Sequence, residues 1–498
     1  MTAVAIKDDR QMLFNSYIFI FLFLPLCLAG YFIINRFGKK RLALAYLLGM
    51  SLWFYGANTP VYLLLIVSSI LVNYGFYMLS KRLSGGIRTA AKAAAVALNL
   101  GILFYFKYYD FFISTVNSLF GCDWALKHII LPLGISFFTF QQVSFVADAF
   151  NGEVPDYGLL EYACFVTYFP QLVAGPIVTH DELVPQLLDD GKKRFDWENF
   201  ARGVYIFAMG LGKKVLIADS LSRVVAAGFV FPTPLLDSLG CFIVMLAFSL
   251  QLYFDFSGYS DMAIGLGKMF NIDLPQNFNS PYKAENVIAF WRDWHITLSR
   301  FFTKYVYFPL GGSRKGLART YLNVFIVFLL SGLWHGANWT FIIWGMMHGA
   351  AQIVYRVGKK FFDRLPKAVG RTVTFLFISL CLVVFRADSV SQGFEIIGRI
   401  FEFDFSAGIS SLGYCFDFSE LRHVLSLIPA VGGYLARPLP LLLIFLSGIL
   451  YITQFTPNAY ERMQRMKPNA VNLIASAALI FWCAISFGKV SEFLYFNF

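Results

Sequence analysis

Charged residues are scarce in this sequence: Asp, Glu, Lys and Arg make up 14% of its 498 residues, whereas 58% are hydrophobic. A soluble protein of this length could not bury so much apolar surface, so the composition excludes a soluble fold and predicts a polytopic membrane protein. The net charge of +11 does not indicate nucleic-acid binding, because Lys and Arg cluster in short loops between apolar runs. That distribution follows the positive-inside rule and indicates contact with anionic lipid head groups of the bilayer.

Metal-ligand spacing is also missing. The seven cysteines form no CxxC pair, the six histidines form no HExxH, and most cysteines sit inside apolar runs. We therefore predict no metal and no permanently bound cofactor. Internal repeats and a separate soluble domain are not visible either, so residues 1–498 are predicted to form a single membrane domain.

Apolar runs about 20 residues long predict an all-α bundle of about ten to twelve membrane segments, including re-entrant helices. The first span is expected over residues 17–35, and a helical pair over 42–55 and 61–79. The basic loops that follow 35 and 79 are predicted to be cytoplasmic, which places the amino terminus outside. From residue 314 onward, placing the basic loops in the cytoplasm and alternating the spans puts the carboxy terminus outside.

Between residues 93 and 230, alternating the spans across the membrane does not agree with the positions of the basic residues. Spans are expected near 93–106, 132–149 and 159–178, but the basic cluster at 192–194 then falls on the outer side. A re-entrant segment buried in protein would explain the mismatch. Residues 200–227 are expected to form two short pieces that meet at an interface.

Two aspartates, Asp255 and Asp261, lie where a strong span (235–256) ends. Carboxylates in so apolar a setting must be paired or hydrogen-bonded, and Arg292 and Arg300 are candidate partners. We favour ion-pair scaffolding for both aspartates over a direct role, and keep them as candidates for lining a tunnel.

His335 is the strongest candidate for chemistry. It ends one apolar run and another follows at once, and an ionisable side chain at membrane depth marks a functional site by default. It lies sixteen residues beyond Arg319, about 24 Å along a helix and most of the way across a bilayer core of about 30 Å. Neighbouring glycines permit close approach of backbones, and Trp334, Trp339 and Trp344 can wall a dry pocket. Such a neutral imidazole suits a general base acting on a hydroxyl. The alternative is a structural histidine hydrogen-bonded between helices.

His348 follows thirteen residues later. On one continuous helix that spacing means different faces and a rise of about 20 Å, so a shared metal site is disfavoured. Packing on a helix face is the preferred interpretation of His348. Asn338, between the two histidines, is a further candidate site residue.

The segment FWRDWHITLS (290–299) alternates aromatic and charged residues. It is too polar to cross lipid, and it suits a helix at the interface or dipping into the protein. Simple interfacial anchoring is one interpretation. In the other, Trp291, Arg292 and Trp294 line the entry of an acyl donor, with Arg300 and Lys304 also facing its phosphates.

At these residues the chain resembles the membrane-bound O-acyltransferase (MBOAT) family, with the alginate O-acetyltransferases nearest and D-alanyl transfer proteins more distant. The matching stretches, in the order of the family, are SFFTFQQVSFVADAFNG (136–152), YFPQLVAGPI (168–177), QLYFDFSGYSDMAIGLGKMF (251–270), FWRDWHITLSRFFTKYVYFPLGG (290–312), GLWHGANWTFIIWGMMHG (332–349) and FLYFNF (493–498).

The resemblance implies a multi-helix bundle in a bacterial inner membrane, with a central tunnel between a cytoplasmic opening and an outer funnel. Acetyl groups would pass from acetyl-CoA to an exported polysaccharide, alginate-like or another glycan. His335 corresponds to the essential histidine of the family and His295 to its second invariant histidine. A periplasmic or extracellular SGNH-type acetyltransferase is the implied partner. By analogy with D-alanylation systems, Tyr495 is a candidate acyl relay, against the alternative of an interfacial aromatic anchor.

Two alternative functions stay open at this stage. D-alanyl or other acyl transfer would use the thioester of a carrier protein and modify a cell-envelope polymer. A transporter or polymer-export subunit would use the buried charges to line a path, although the similar halves common in transporters are not visible.

Overall fold

The computed structural model describes residues 12–58, 60–230, 236–405, 410–487 and 493–494, and the regular structure within these ranges is helical throughout. An isolated bridge between Phe278 and Trp294 is the extended pairing found there. The prediction of an all-α protein is confirmed.

The α-helices, numbered in chain order, are α1 Leu24–Arg36, α2 Lys40–Asn58, α3 Leu63–Ser80, α4 Gly85–Leu103, α5 Tyr109–Phe120, α6 Ile135–Asn151, α7 Leu159–Thr167, α8 Phe169–Leu172, α9 His180–Leu188, α10 Trp197–Gly212, α11 Asp219–Val230, α12 Ser238–Met269, α13 Val287–Asp293, α14 Ile296–Phe302, α15 Leu317–His335, α16 Trp339–Val357, α17 Lys359–Phe362, α18 Lys367–Arg386, α19 Val390–Ile400, α20 Ser410–Cys415, α21 Ser419–Ser426, α22 Gly432–Leu435, α23 Pro438–Phe455, α24 Ala459–Arg465 and α25 Ala470–Ile485. The π-helical segments are Phe19–Phe23, Phe104–Tyr108, Lys213–Ala218 and Thr303–Tyr307, and the 3₁₀ turns are Pro60–Tyr62, Gly191–Lys193 and Pro281–Lys283.

Seven helical runs in the described ranges are long and apolar enough to cross a bilayer, which is consistent with a multi-pass membrane protein. They are Phe19–Arg36, Pro60–Ser80, Gly85–Phe120, Ser238–Met269, Leu317–His335, Lys367–Arg386 and Pro438–Phe455. Helix α25 is apolar but shorter. The spans predicted around 17–35, 61–79 and 93–106 are therefore present, and the third is part of a run that extends from Gly85 to Phe120. The orientation of both termini stays a prediction.

The described chain divides into two compact units. The first contains the described residues up to Ala208 together with Ser260–Pro275 and Met466–Phe487, and the second contains the described residues of Met209–Tyr259, Gln276–Arg465 and the segment 493–494. The expectation of one membrane domain stays a prediction.

Buried amides join helices of the first unit. Asn73 on α3 donates to Gln142 on α6 (2.5 Å) and to Asn99 on α4 (3.1 Å), and Asn99 donates back to Asn73 (2.7 Å). In an apolar surrounding such side chains act as hydrogen-bonded contacts between helices, because an unpaired amide would be costly there.

The single span predicted over 159–178 is wrong. Helix α7 ends at Thr167, Tyr168 leaves the helical conformation (ψ 106°), and the short helix α8 follows with Pro170 in its first turn. A Cβ at Gly175 would collide with the backbone of Gln171, so the chain turns tightly there. This irregular stretch is buried in protein, the one setting in which broken backbone is tolerated at membrane depth.

The two pieces predicted over 200–227 are joined without a loop. The π-helical segment Lys213–Ala218 connects α10 directly to α11. Its wider turns change the direction of the side chains relative to a continuous α-helix, and such segments are frequent at functional sites.

Candidate functional site

His335 is the last residue of α15 and lies where α15 meets α16. Gly336 is extended (φ −166°), and the Asn338 side chain caps α16 by accepting a hydrogen bond from the Thr340 N–H (3.1 Å). Below the turn, the two helices approach closely at Gly332 and Gly345, since a Cβ at either glycine would lie 3.2 Å from the Cα of the other. The small residues therefore hold the two helices together beside the histidine.

Aromatic rings surround His335, which is 3% exposed. Its ring centre lies 5.1 Å from Trp334, 5.1 Å from Trp344 and 5.4 Å from Phe385 of α18. Of the three tryptophans predicted to wall a dry pocket, Trp334 and Trp344 contact His335, and the pocket itself stays a prediction. Trp339 is half exposed (50%), and Phe385, which no local pattern singled out, completes the ring.

His295 lies between α13 and α14 and is completely buried. Its backbone is left-handed (φ 45°, ψ 53°), a conformation that is strained for a non-glycine residue and recurs at functional sites. The helix predicted for the 290–299 segment is therefore broken at this residue. The imidazole of His295 lies near that of His335, with the two ring centres 6.4 Å apart.

The tautomer of His295 follows from Asn277. The Asn277 Oδ1 accepts hydrogen bonds from the Thr297 N–H (3.2 Å) and the Thr297 hydroxyl (3.0 Å), and lies 3.2 Å from His295 Nδ1. An oxygen can only accept, so His295 Nδ1 carries the proton and Nε2 is the basic nitrogen. Burial lowers the pKa of His295 to about 3, so the ring is neutral at physiological pH.

His348 lies on the same side as His335, contrary to the estimate for a continuous helix. Because α15 ends at His335 and α16 runs back beside it, both histidines contact Trp344, at 5.1 Å and 4.7 Å between ring centres. Trp291 Nε1–H donates to His348 Nδ1 (3.1 Å), which leaves the proton of the neutral His348 on Nε2. His348 is thus a buried, hydrogen-bonded neighbour of the site and not only a packing residue.

Two buried donors near His335 lack hydrogen-bond acceptors in the described part of the chain: Trp344 Nε1 and His348 Nε2. A buried donor without any partner costs about 1–3 kcal/mol, so these two N–H groups can donate to a water or to a bound molecule. Clusters of three or more His, Cys, Asp or Glu residues suited to a metal do not occur within the described ranges, and the absence of a metal stays a prediction.

A cavity of about 680 Å³ lies next to this histidine cluster. Four cationic side chains line it: Arg292, Arg300, Lys304 and Arg356. The wall towards His348 is formed by Trp291 and Phe328, whose ring centres lie 5.1 Å and 6.2 Å from that histidine.

The cavity reaches Ser331 on α15, one helical turn before His335 or about 6 Å of rise. Trp291, Arg292, Arg300 and Lys304 therefore line one cavity, and their role at the entry of an acyl donor stays a prediction. Arg356, which the sequence did not single out, belongs to the same lining.

The remaining predicted residues are placed elsewhere. Trp294 is buried against Phe290 and Phe278, with ring centres 5.4 Å and 5.0 Å away. Asp261 is buried (7% exposed) on α12 in the first unit. Tyr495 lies outside the described residues.

Asp255 is buried in an ion pair, as expected, but its predicted partner was wrong. Its carboxylate lies 2.7 Å from Lys214 Nζ, whereas the largely exposed Arg292 lies 3.6 Å from Asp293. The π-helical segment that carries Lys214 could not be read from apolar periodicity, so proximity in sequence suggested the wrong cation.

The sequence of this chain is similar to one family model and to several known proteins. A family model for the membrane-bound O-acyltransferase family matches residues 79–385, which include both His295 and His335. A peptidoglycan O-acetyltransferase of Helicobacter pylori is 37% identical over 98% of this chain and 98% of its own length. A probable alginate O-acetylase AlgI of Pseudomonas aeruginosa is 38% identical over 79% of this chain and 75% of its own. A teichoic acid D-alanyltransferase of Bacillus subtilis is 29% identical over 52% of this chain and 68% of its own.

Proposed function

Because the chain belongs to the membrane-bound O-acyltransferase family and is an acyltransferase, we propose that it transfers acetyl groups from cytoplasmic acetyl-CoA to a glycan of the cell envelope. The observation that carries the proposal is the position of His335, one helical turn beyond a cavity lined by cations. The transporter alternative is not retained.

The cavity supplies the features that an acyl-CoA needs. Arg300, Lys304 and Arg356 offer charge-assisted hydrogen bonds to phosphates, and the apolar walls formed by Trp291 and Phe328 suit the pantetheine arm. The basic loops before α15 and after α16 predict that this end of both helices faces the cytoplasm. The thioester would then lie at the inner end of the cavity, towards His335.

His335 acts as the general base in this proposal. Its imidazole takes the proton from an acceptor hydroxyl while the oxygen attacks the thioester carbonyl, and the carbon–sulfur bond breaks. The proton passes from the imidazole to the departing sulfur, so the products are an acetyl ester and CoA thiol. Acid–base assistance of this kind contributes about 10²- to 10⁴-fold in rate.

Trp344 is proposed to stabilise the oxyanion that forms during the attack. Its buried indole N–H lacks an acceptor within the described ranges, and its ring stands at 90° to that of His335 with the ring centres 5.1 Å apart. A preorganised donor in a dry site stabilises developing negative charge without reorganisation of water. His295, held as the Nδ1–H tautomer by Asn277, presents a second basic nitrogen beside His335.

The acceptor is proposed to be peptidoglycan, because the relative that carries that name aligns over nearly the full length of both chains. Alginate or a similar exported polysaccharide is the second candidate, supported by similarity over about four-fifths of the chain. Transfer would pass through the Tyr495 hydroxyl or a serine on an outer SGNH-type partner. The site would then lie in a bacterial inner membrane, with both termini outside.

D-alanyl transfer from a carrier protein remains an alternative, because a teichoic acid D-alanyltransferase is among the relatives. Both donors present a thioester on a phosphopantetheine arm, so the cavity suits either. Purified protein in nanodiscs would be incubated with labelled acetyl-CoA or with carrier protein charged with labelled D-alanine, in the presence of peptidoglycan, alginate or teichoic acid.

Label transfer from acetyl-CoA to peptidoglycan, lost in a His335→Ala protein that is still folded at the assay temperature, is the expected result. Transfer only from the charged carrier protein would replace acetyl-CoA as donor. Transfer by His335→Ala at the wild-type rate would refute the proposed base.

A further inference from the structure

The second unit contains a buried cluster of charges that the proposed reaction does not use. Lys214 Nζ lies 2.8 Å from Asp219 Oδ1 and 2.7 Å from Asp255 Oδ1, and all three side chains are at most 3% exposed. A single ammonium group thus faces two carboxylates. Buried charge is costly unless it has polar partners, and for Asp255 one such partner is a backbone N–H from residue 494.

The second carboxylate, that of Asp255, binds the segment 493–494, called the tail below. The backbone N–H of Leu494 donates to Asp255 Oδ2 (3.0 Å). The Phe493 ring, 1% exposed, lies 4.7 Å from Lys214 Nζ and packs edge-on against Tyr259, with ring centres 4.8 Å apart. Asp255 and Lys214 therefore hold a backbone donor and an aromatic face of the same two-residue segment.

Local geometry explains how Lys214 reaches α12. A Cβ at Gly258 would lie 2.8 Å from the Gly210 carbonyl oxygen and 3.3 Å from the Lys214 backbone nitrogen, so the π-helical segment passes directly against α12. Asp219 lies within the same helical run as Lys214 and already pairs with it. Asp255, on a different helix, adds the contact to the tail.

We propose that Lys214, Asp219 and Asp255 form an internal binding site that anchors the tail (493–494) close to His295. Asp255 is followed on α12 by Phe256, whose ring centre lies 4.8 Å from that of His295. Asp255, which contacts the tail, and Phe256, which contacts His295, are thus consecutive residues of α12. Lys214 and Asp255 are positioning residues: they act through the tail.

This anchoring bears on function because Tyr495, the candidate acyl relay, directly follows Leu494 in the sequence. The part of the tail in acyl transfer rests on the proposed function, whereas its anchoring does not.

The experiment measures release of the tail from the full-length protein in nanodiscs. Carboxypeptidase is added, and mass spectrometry follows the removal of Leu494 and Phe493. Asp255→Asn should accelerate this removal by about tenfold or more, because a charge-assisted hydrogen bond is lost. Phe493→Ala should also accelerate the removal of Leu494, although it changes no charge. Lys213→Met is the matched control, because that neighbouring ammonium lies 3.4 Å from Ser257 Oγ instead, and it should release the tail at the wild-type rate.

Thermal unfolding is measured in parallel, so that loss of fold is distinguished from loss of anchoring. Wild-type release in a folded Asp255→Asn protein would overturn the proposal, as would equal acceleration by Lys213→Met. If Asp255→Asn does not fold, wild-type release by Phe493→Ala overturns it. A protein that anchors its tail as described but transfers no acyl group would refute the proposed function and leave the anchor standing.

Discussion

The imidazole rings of His295 and His335 lie 6.4 Å apart, with 58° between their planes. Trp334 contacts both, with its ring centre 5.9 Å from His295 and 5.1 Å from His335. Asn277 orients His295, whereas α15 and α16 fix the position of His335. The two histidines are therefore held by different elements, and substitutions at each should have separable effects.

Replacement of His335 by Ala should lower acetyl transfer by about 10²- to 10⁴-fold, the usual contribution of a general base. Thermal stability should also fall, because Ala leaves a cavity where a ring only 3% exposed was packed, so transfer is measured at a temperature at which the variant is still folded. The exposed His423 on α21 provides the matched control, and His423→Ala should transfer at the wild-type rate. Full activity of His335→Ala would contradict the assignment.

His295 should make the stability of the protein depend on acid. Its pKa is lowered from about 6.5 to about 3 in the folded protein, so the unfolded chain binds the proton more readily between these values. The stabilisation is complete above about pH 6.5 and should fall by about 1.4 kcal/mol per pH unit below it. Unfolding midpoints between pH 7 and 4 would test this, with His295→Gln giving a shallower acid dependence. Parallel curves for the two proteins would argue against a neutral, buried His295.

The sequence was sufficient to predict the helix ending at His335, because the apolar run stops there and a glycine follows. It also grouped the aromatic and cationic residues of 290–304, several of which line one cavity. Both predictions depended only on residues that are close together in the sequence, which a local sequence pattern can reveal.

Contacts between distant segments were the part that could not be predicted. Asn277 lies in an irregular segment, and nothing local indicates that its amide orients His295. The pairing of Asp255 with Lys214 depends on a π-helical turn, and the contact of Phe385 with His335 depends on the packing of α18. The estimate that separated His348 from His335 assumed a continuous helix, which the break at Gly336 invalidates.

Trp344→Phe should keep the aromatic wall of His335 and remove the indole N–H. Loss of one oxyanion donor lowers kcat by about 10²- to 10³-fold, with little effect on binding of the donor. Steady-state kinetics would measure the change, and Trp339→Phe, at a half-exposed position, should be near wild type. An unchanged kcat in Trp344→Phe would exclude the indole as a donor to the transition state.

Arg300→Gln should raise KM for acetyl-CoA by about tenfold and affect kcat less, because a phosphate contact is made in both ground and transition states. The difference from wild type should shrink at high salt, which screens the remaining attraction. Lys315→Gln removes an exposed cation that does not line the cavity, and should leave KM unchanged. Equal increases in KM for both variants would indicate general attraction by surface charge instead of a bound phosphate.

The close packing of α15 against α16 should make Gly345 intolerant of a side chain. A Cβ there would collide with the Phe328 carbonyl oxygen and lie 3.2 Å from the Gly332 Cα, so both obstacles are backbone atoms that cannot rotate away. Gly345→Ala should therefore destabilise the protein by about 1–3 kcal/mol and lower transfer by displacing Trp344 and His335. Gly448→Ala on α23 is the matched control, because its Cβ would meet nothing within 4 Å, and alanine favours a helix over glycine by up to about 1 kcal/mol. The thermal unfolding midpoint should fall for Gly345→Ala and hold or rise for Gly448→Ala; a Gly345→Ala protein with native stability and full activity would mean that the helices can separate without disturbing the site.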